Sequence, residues 1–472
     1  MNKYALSFKS AAEVIKYIEE QDIQFVDLNF TDISGKWQHT TRHASYITKD
    51  VIDNGINLDG SLINGLSNNQ ESNLTIKPDI SRATYDPFAA QKTIKIFCDI
   101  HSSTSNKPHD LDPRSIAKAA ESYLKKLKIG DTAYFGPEPE FFIFDNVRVR
   151  TQGNHVSYMV DNEEGQHNKA RDYTTGNMGH RPNVNGGYMT ESPVDSLSDI
   201  RAEMLSVIES MGVNVEGHHH GLSPSQCELG IRFAPLLESA DNIQMYKHAV
   251  HNVAHSYGKS ATFMPKPING ENGSGMNIHQ SLWKSGKPLF AGKGYAGLSE
   301  TALYYIGGIL KHSRALNAFT NPTTNSYKRI ISDVNDSPNL SYSASNKSAA
   351  CYIPKANTPK EQRIKTCFPD ATANPYLAFS AMLMAGIDGI ENKIHPGDYL
   401  GNDLVPTPTG NQGICVSLSD AIQSLRSDRE FLLKGDVFTN EIIEAFIHLK
   451  ETEIMRYEQI THPIEVDMYY SS

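Results

Sequence analysis

Apolar residues recur at helical spacing near the N-terminus. Val14, Ile15 and Ile18 follow a Ser10–Glu13 capping pair, which predicts a short helix over residues 10–21. Residues 23–31 alternate instead, with Val26, Leu28 and Phe30 on one face, as a half-buried strand does. Ser34-Gly35 turns the chain, and residues 93–100 alternate again. The first hundred or so residues therefore predict a small strand-rich domain with one early helix. Asp112-Pro113 then sets a capping carboxylate before a proline at the first helical position. That helix presents Ile116, Ala120, Tyr123 and Leu127 and is expected to stop at Gly130. The boundary falls near 110, giving domains 1–110 and 111–472. Beyond it strands alternate with longer helices. Asn374-Pro375 opens one helix carrying Leu377, Met382 and Leu383, and Ser299 caps another ending near Phe319. Residues 401–413, rich in Gly, Pro, Asn and Thr, predict a loop. There is no internal repeat, heptad run, Walker A pattern or strand-linked dinucleotide fingerprint.

Composition narrows the class. A chain of 472 residues, 39% hydrophobic and 21% charged, has the balance of a globular protein with a large core. The net charge of -10 argues against a nucleic-acid partner held by a basic surface. The 5 cysteines (Cys98, Cys227, Cys351, Cys367, Cys415) are scattered and include no C-x-x-C pair. They read as reduced thiols of a cytoplasmic protein. The N-terminus lacks the apolar stretch of a secretory signal, and no apolar run is long enough to predict a membrane span.

Four features carry candidate chemistry. Glu138 and Glu140 flank Pro139 in an apolar segment, so an extended strand would put both carboxylates on one face. Two such groups repel unless a cation lies between them, and a hard divalent ion suits them. A solvated strand face is the plain alternative. The run His218-His219-His220, with Gly221 and Glu228 beyond, offers ligands for metal or phosphate, or simply packs. Asn272-Gly273-Ser274-Gly275, leading to Asn277 and His279, lets backbone approach a ligand closely or makes an ordinary turn. Arg329, Lys360 and Arg363 suit oxyanions, or lie on the surface. Taken alone, these features reach no further than a metal- and phosphate-binding enzyme.

Together, a series of segments resembles the bacterial type I glutamine synthetase family. It includes Phe25-Val26-Asp27-Leu28, Asp59-Gly60-Ser61, Phe135-Gly136-Pro137-Glu138-Pro139-Glu140-Phe141-Phe142, Gly179-His180-Arg181-Pro182 and Gly186-Gly187-Tyr188. The histidine run, Phe263-Met264-Pro265-Lys266-Pro267, Asn272 to Met276, Asn321 to Arg329 and Ala373-Asn374-Pro375-Tyr376 continue it in order. The resemblance implies an α+β chain: a β-grasp-like N-terminal domain, then a catalytic domain on a curved antiparallel sheet. It implies a homo-oligomer, a dodecamer of two stacked six-membered rings, with active sites between neighbouring subunits. The C-terminal segment 464–470 is similar to the one that docks into the opposite ring. The family reaction phosphorylates the γ-carboxylate of glutamate with ATP, and ammonia then displaces the phosphate. Two divalent cations, Mg2+ or Mn2+, gather the anionic groups. By position, Asp59 and Tyr188 match the ammonium site, and Glu138, Glu140 and Glu228 match metal ligands. His219, His279, Ser281, Lys360 and Arg363 match the nucleotide site, and Asn272, Gly273 and Arg329 the glutamate site.

The departures fall on the same machinery. Gly221 and Lys365 stand where the family has metal-binding glutamates, and Asn277 where it has a metal-binding histidine. Cys367 replaces an arginine, Lys347 and Tyr352 align with arginines that hold phosphate and ATP, and Asn335 aligns with the flap glutamate. Leu404-Val405-Pro406 lies where a regulatory tyrosine is expected, so adenylylation is not expected there. Lys365 weighs most, since an ammonium close to a dication costs several kcal/mol. The expectation is a chain that keeps the fold, with metal binding weakened or absent and glutamine synthesis impaired or lost. Co-assembly with an active synthetase would give it a role. The alternatives are a working amide ligase with an altered metal site, and a regulatory subunit that binds a nucleotide or amino acid.

Overall fold

The computed structural model describes residues 5–63, 65, 73–332, 339–401 and 413–469. The expected first helix is Ala11–Glu20, with the Ser10 side chain accepting from the Glu13 amide. The Glu13 carboxylate reaches back to the Lys9 amide. Five strands follow in the order Trp37–His43, Phe25–Thr31, Thr93–Ser102, Asn73–Tyr85, Ile56–Asp59. Phe25–Thr31 runs parallel to Thr93–Ser102, and the other pairs are antiparallel. This is the β-grasp domain. Val26, Leu28 and Phe30 are buried as their alternation requires, but so are Asp27, Asn29 and Thr31. The second face is covered too, and its charge is paired: Asp27 accepts from Lys95 Nζ at 2.7 Å and from Thr41 Oγ1 at 2.6 Å.

The second sheet is built on one long strand, Thr132–Phe144. On one side lie Met276–Lys284, Ile364–Thr366, Ala349–Tyr352 and Asn339–Ser343; on the other lie Gln226–Ile231 and Val215–His220. The helices Leu236–Ser256 and Pro375–Glu391 pack against it. Pro375–Glu391 is apolar almost all round and is buried from Pro375 to Gly389, as a core helix must be. Its cap, Asn374, also donates to the Asp32 and Ile33 carbonyls at 3.1 and 3.2 Å, tying the catalytic domain to the first. The whole is an α+β chain: a β-grasp domain followed by a curled half-barrel with helices, antiparallel except where Asn339–Ser343 runs parallel to Ala349–Tyr352.

Two helix limits differ from expectation. Asp112 caps Pro113–Lys126 through the amides of Arg114 and Ser115, but that helix ends four residues before Gly130 because Lys128 adopts a left-handed φ of 58°. Ser299 caps Glu300–Lys311, and a second helix, Ser313–Thr320, begins after a break at His312. The imidazole of His312 lies between the carboxylates of Asp388 at 2.9 Å and Asp428 at 2.8 Å, which fixes the bend. Asn335, Leu404, Val405 and Pro406 lie outside the described residues, as does most of the predicted 401–413 loop. Among the described residues, no helix is long and apolar enough to cross a membrane.

Candidate active site

Glu138 and Glu140 do share a face of the central strand, both half-buried, with Pro139 turned into the core beneath Tyr246. Two cavities open on that face. The larger, about 1100 Å³, is lined by Glu138, His279, Ser281, Lys360 and Arg363. The smaller, about 370 Å³, is lined by Glu140, Tyr188, Asn272, Gly273, Asn277 and Arg329. His219 and Glu228 line both and stand where they meet. So all the sequence-predicted residues of the catalytic domain converge. Asp59 does not: it lies exposed on the β-grasp domain, its carboxylate accepting from the Ser61 amide at 2.9 Å, and it lines neither cavity.

Strand register explains the environment of Glu138. Asn277 pairs with Glu138 across one neighbouring strand, and Lys365 pairs with His279 across the next. The Lys365 ammonium donates to Glu138 Oε2 at 2.9 Å, and His279 Nε2 lies 2.9 Å from Oε1. Arg363 Nε donates to His279 Nδ1 at 3.1 Å, so the ring proton sits on Nε2 and is donated to Glu138. Burial holds His279 below its ordinary range despite Glu138, which makes the imidazole neutral near pH 7. Burial alone would raise the Glu138 carboxyl. The His279 hydrogen bond and the Lys365 charge overcome it and hold Glu138 at about 2. Lys365 is correspondingly raised against its own desolvation. Both oxygens of Glu138 are thus engaged, one by a full positive charge.

Glu140 differs. Burial first, then the charge of Glu228, push it up to about 7. Its Oε2 accepts from the Gly275 amide at 2.8 Å and from Gln226 Nε2 at 3.2 Å. Gln226 was not singled out from sequence, yet it is central. Its amide also donates to the Gly273 carbonyl at 3.0 Å, and its oxygen accepts from the Ser223 amide at 3.1 Å. A Cβ on Gly221 would lie 2.6 Å from Gln226 Cγ, so the glutamine occupies the space of the side chain that Gly221 lacks. Gly273 is similarly constrained, since a Cβ there would meet the Pro265 carbonyl at 2.4 Å.

The histidine run does not act as one cluster. Alternation along Val215–His220 sends His219 into the site, 3.4 Å from Glu228 and edge-on to Tyr188 at 5.4 Å. His218 instead accepts from Arg201 at 3.3 Å. His220 is buried, with Nε2 2.9 Å from Glu164 and Nδ1 2.8 Å from the Gly221 carbonyl. Both partners only accept, so both ring nitrogens carry protons and the ring is an imidazolium. Glu164, Asp195 and His220 lie close enough to share a metal. Their charge is already balanced by the imidazolium and by Arg201, which donates to Asp195 at 3.0 Å. This trio is an ion-pair lock, and nothing in the sequence connects Glu164 with it.

Of the other replacements, Lys347, Tyr352 and Cys367 line the smaller cavity, and burial pushes the Cys367 thiol up to about 11. Arg329 donates to the carbonyls of Phe368 and Pro369.

The sequence profile described as "Glutamine synthetase, catalytic domain" matches residues 110–469, and that described as "Glutamine synthetase, beta-Grasp domain" matches residues 22–103. The glutamine synthetase of Azospirillum brasilense is 53% identical over 464 residues, covering 98% of this chain and 99% of its own. A 3-hydroxylaminophenol mutase of Cupriavidus pinatubonensis is 49% identical over 470 residues, with 98% and 99% coverage. The cryo-EM structure of Plasmodium falciparum glutamine synthetase superposes with a TM-score of 0.91 at 28% identity, covering 99% of this chain and 100% of that one. The chain belongs to the glutamine synthetase family.

Proposed function

We propose that this chain is a glutamine synthetase paralogue whose own site turns over poorly or not at all, and that it serves in the cytoplasm by joining rings with an active synthetase. The observation that carries the reading is the Lys365 ammonium 2.9 Å from Glu138. Family chemistry needs a dication beside that carboxylate. At ~4 Å and an effective dielectric of about 20, a dication and an ammonium repel by about 8 kcal/mol. Asn277 adds no charge to offset this, so the residues around Glu138 do not fit a divalent ion. Glu140 and Glu228 keep two facing carboxylates, and that half of the site fits one cation. When bound, a divalent ion supplies charge neutralisation for phosphoryl transfer. The chain's own groups serve the ends of the reaction: Lys360 and Arg363 for ATP phosphates, Arg329 with the Asn272-Gly273 turn for the glutamate. Asp59, away from its own cavities, would complete the site of a neighbouring subunit in a ring.

A working ligase is the second reading, favoured by 53% identity to a glutamine synthetase and by the three retained glutamates. The 49% identical mutase shows that close relatives carry other names, which leaves another substrate open to such a ligase. ATP-dependent glutamine formation with Mg2+ or Mn2+, by the wild type and by a Lys365→Glu, Asn277→His variant, separates the readings. The expected result is a near-silent wild type and a gain of ~10²-fold or more in the variant, the usual worth of a restored transition-state charge. Ordinary turnover by the wild type would establish the ligase instead.

A further inference from the structure

Outside the active site, a cavity of about 770 Å³ lies where the β-grasp domain meets the catalytic domain. One wall is the turn at residues 34–38, and the other is the helix Leu236–Ser256. Its lining includes Lys36, Lys247, His248 and His251 and contains no aspartate or glutamate. The Lys247 ammonium sits 5.7 Å over the Phe263 ring and has no hydrogen bond or ion pair among the described residues. Burial lowers it to about 8, with only Asp370 opposing. That carboxylate is already spent on Asn321 at 3.1 Å and the Thr372 amide at 3.0 Å. His251 is held neutral by burial and by Lys247 itself. His248 takes Asn252 on Nδ1 at 3.3 Å and lies 3.7 Å from Asp86, so it does not compensate Lys247 either. Lys247 is half-buried and Lys36 exposed, and with no carboxylate in the lining the cavity is cationic, so an anion entering it supplies the missing counter-charge.

We propose that this interdomain cavity binds a small dianion, a phosphate or a dicarboxylate, with Lys247 and Lys36 as its cationic anchors. The Phe263 ring covers one side of the Lys247 ammonium and leaves the side facing the cavity for the anion. Binding through Lys36 and Lys247 joins the two domains of one chain, so an occupied site stiffens the platform that carries Asp59.

Calorimetric titration of the full-chain protein with inorganic phosphate and, separately, with glutarate, without divalent metal, tests this. Saturable binding of one probe is expected, and which probe binds names the class. Lys247→Met should weaken it at least tenfold, while Lys247→Arg retains it. A variant carrying Lys360→Ala and Arg363→Ala should keep the Lys247-dependent binding, because those cations belong to the other cavity, and should lose only phosphate held there. Thermal melts with and without phosphate or glutarate check folding; the wild type, Lys247→Arg and the Lys360/Arg363 variant should gain stability from the bound probe, and Lys247→Met should gain less. Equal affinity in Lys247→Met, loss of binding in the Lys360/Arg363 variant, or no saturation by either probe up to about 10 mM would overturn the proposal.

Discussion

At the scale of single residues, the site is defined by what fills the places of lost ligands. Lys365 supplies a tethered cation, and Glu138, held at about 2, stays ionised to receive it. Gln226 fills the space beside Gly221 and ties Glu140 to the Gly273 carbonyl. Restoring a glutamate at 221 is therefore not a simple repair. The new side chain must displace Gln226, whose Cβ, Cγ and Cδ all lie within 2.8 Å of the added Cβ. Overpacking of this kind costs about 1–3 kcal/mol. Gly221→Glu should lower the urea midpoint and add no activity by itself. Combining it with Gln226→Ala should recover the midpoint at least in part, since the clash goes with the glutamine. A single variant as stable as the wild type would show that the loop yields freely.

At the scale of elements, the strand Val215–His220 divides three histidines between two tasks. The buried His220–Glu164 pair fastens the loop after that strand, and its pH dependence has a defined sign. Hydrogen bonds and charge from Glu164 raise His220 above 6.5 against desolvation, so its contribution is complete below 6.5 and fades as pH climbs through the folded value. Glu164 is lowered from 4.5 against burial by His220, so its share is present above 4.5 and fades in acid. His220→Gln should cost about 3–5 kcal/mol at pH 6 by stranding a buried carboxylate. Its stability should also decline less than that of the wild type between pH 6 and pH 9. Urea midpoints across that range measure both, and parallel curves would refute the imidazolium. Little of this was legible beforehand. Periodicity located the first helix, the first strands and the Asn374 cap because those signals are local. It overran the helix after Asp112, where backbone conformation at Lys128 decides the end. It missed the break at His312, which is made by Asp388 and Asp428 from distant segments. Glu138 and Glu140 could be picked out because carboxylates are unusual within an apolar run, and the Asn272-Gly273 turn because its stretch is rich in glycine. Gln226 and Glu164 are ordinary polar residues in sequence, and only the fold gives them partners.

At the scale of the whole molecule, the two domains are joined through buried charge. Arg114, at the start of its helix, donates to both oxygens of Asp241 at 3.1 Å and to Asp79 and Asp99 at 2.8 Å. Asp79 and Asp99 belong to the β-grasp sheet, while Asp241 lies on the catalytic helix Leu236–Ser256. Three carboxylates meet at one guanidinium, with Lys118 assisting two of them. Asp79 owes its very low pKa to Arg114 and Lys118, which overcome its burial. Removing the guanidinium leaves Asp79 and Asp99 to Lys118 and Asp241 to Arg82 at 3.5 Å, so the carboxylates are undercompensated across the domain boundary. Arg114→Met should therefore destabilise by about 3–5 kcal/mol, the cost of breaking a buried charged pair. The damage should concentrate at the boundary and not in either core, because Met keeps the apolar volume. Hydrogen exchange should then show faster opening of Asn73–Tyr85 and Thr93–Ser102, with Pro375–Glu391 less affected. Acid should partly rescue the variant, since Asp79 loses the Arg114 charge that holds its carboxyl low and its protonation then removes repulsion. If exchange rises uniformly and low pH brings no relief, the charge cluster does not hold the domains together, and the carbonyl contacts of Asn374 must bear that role.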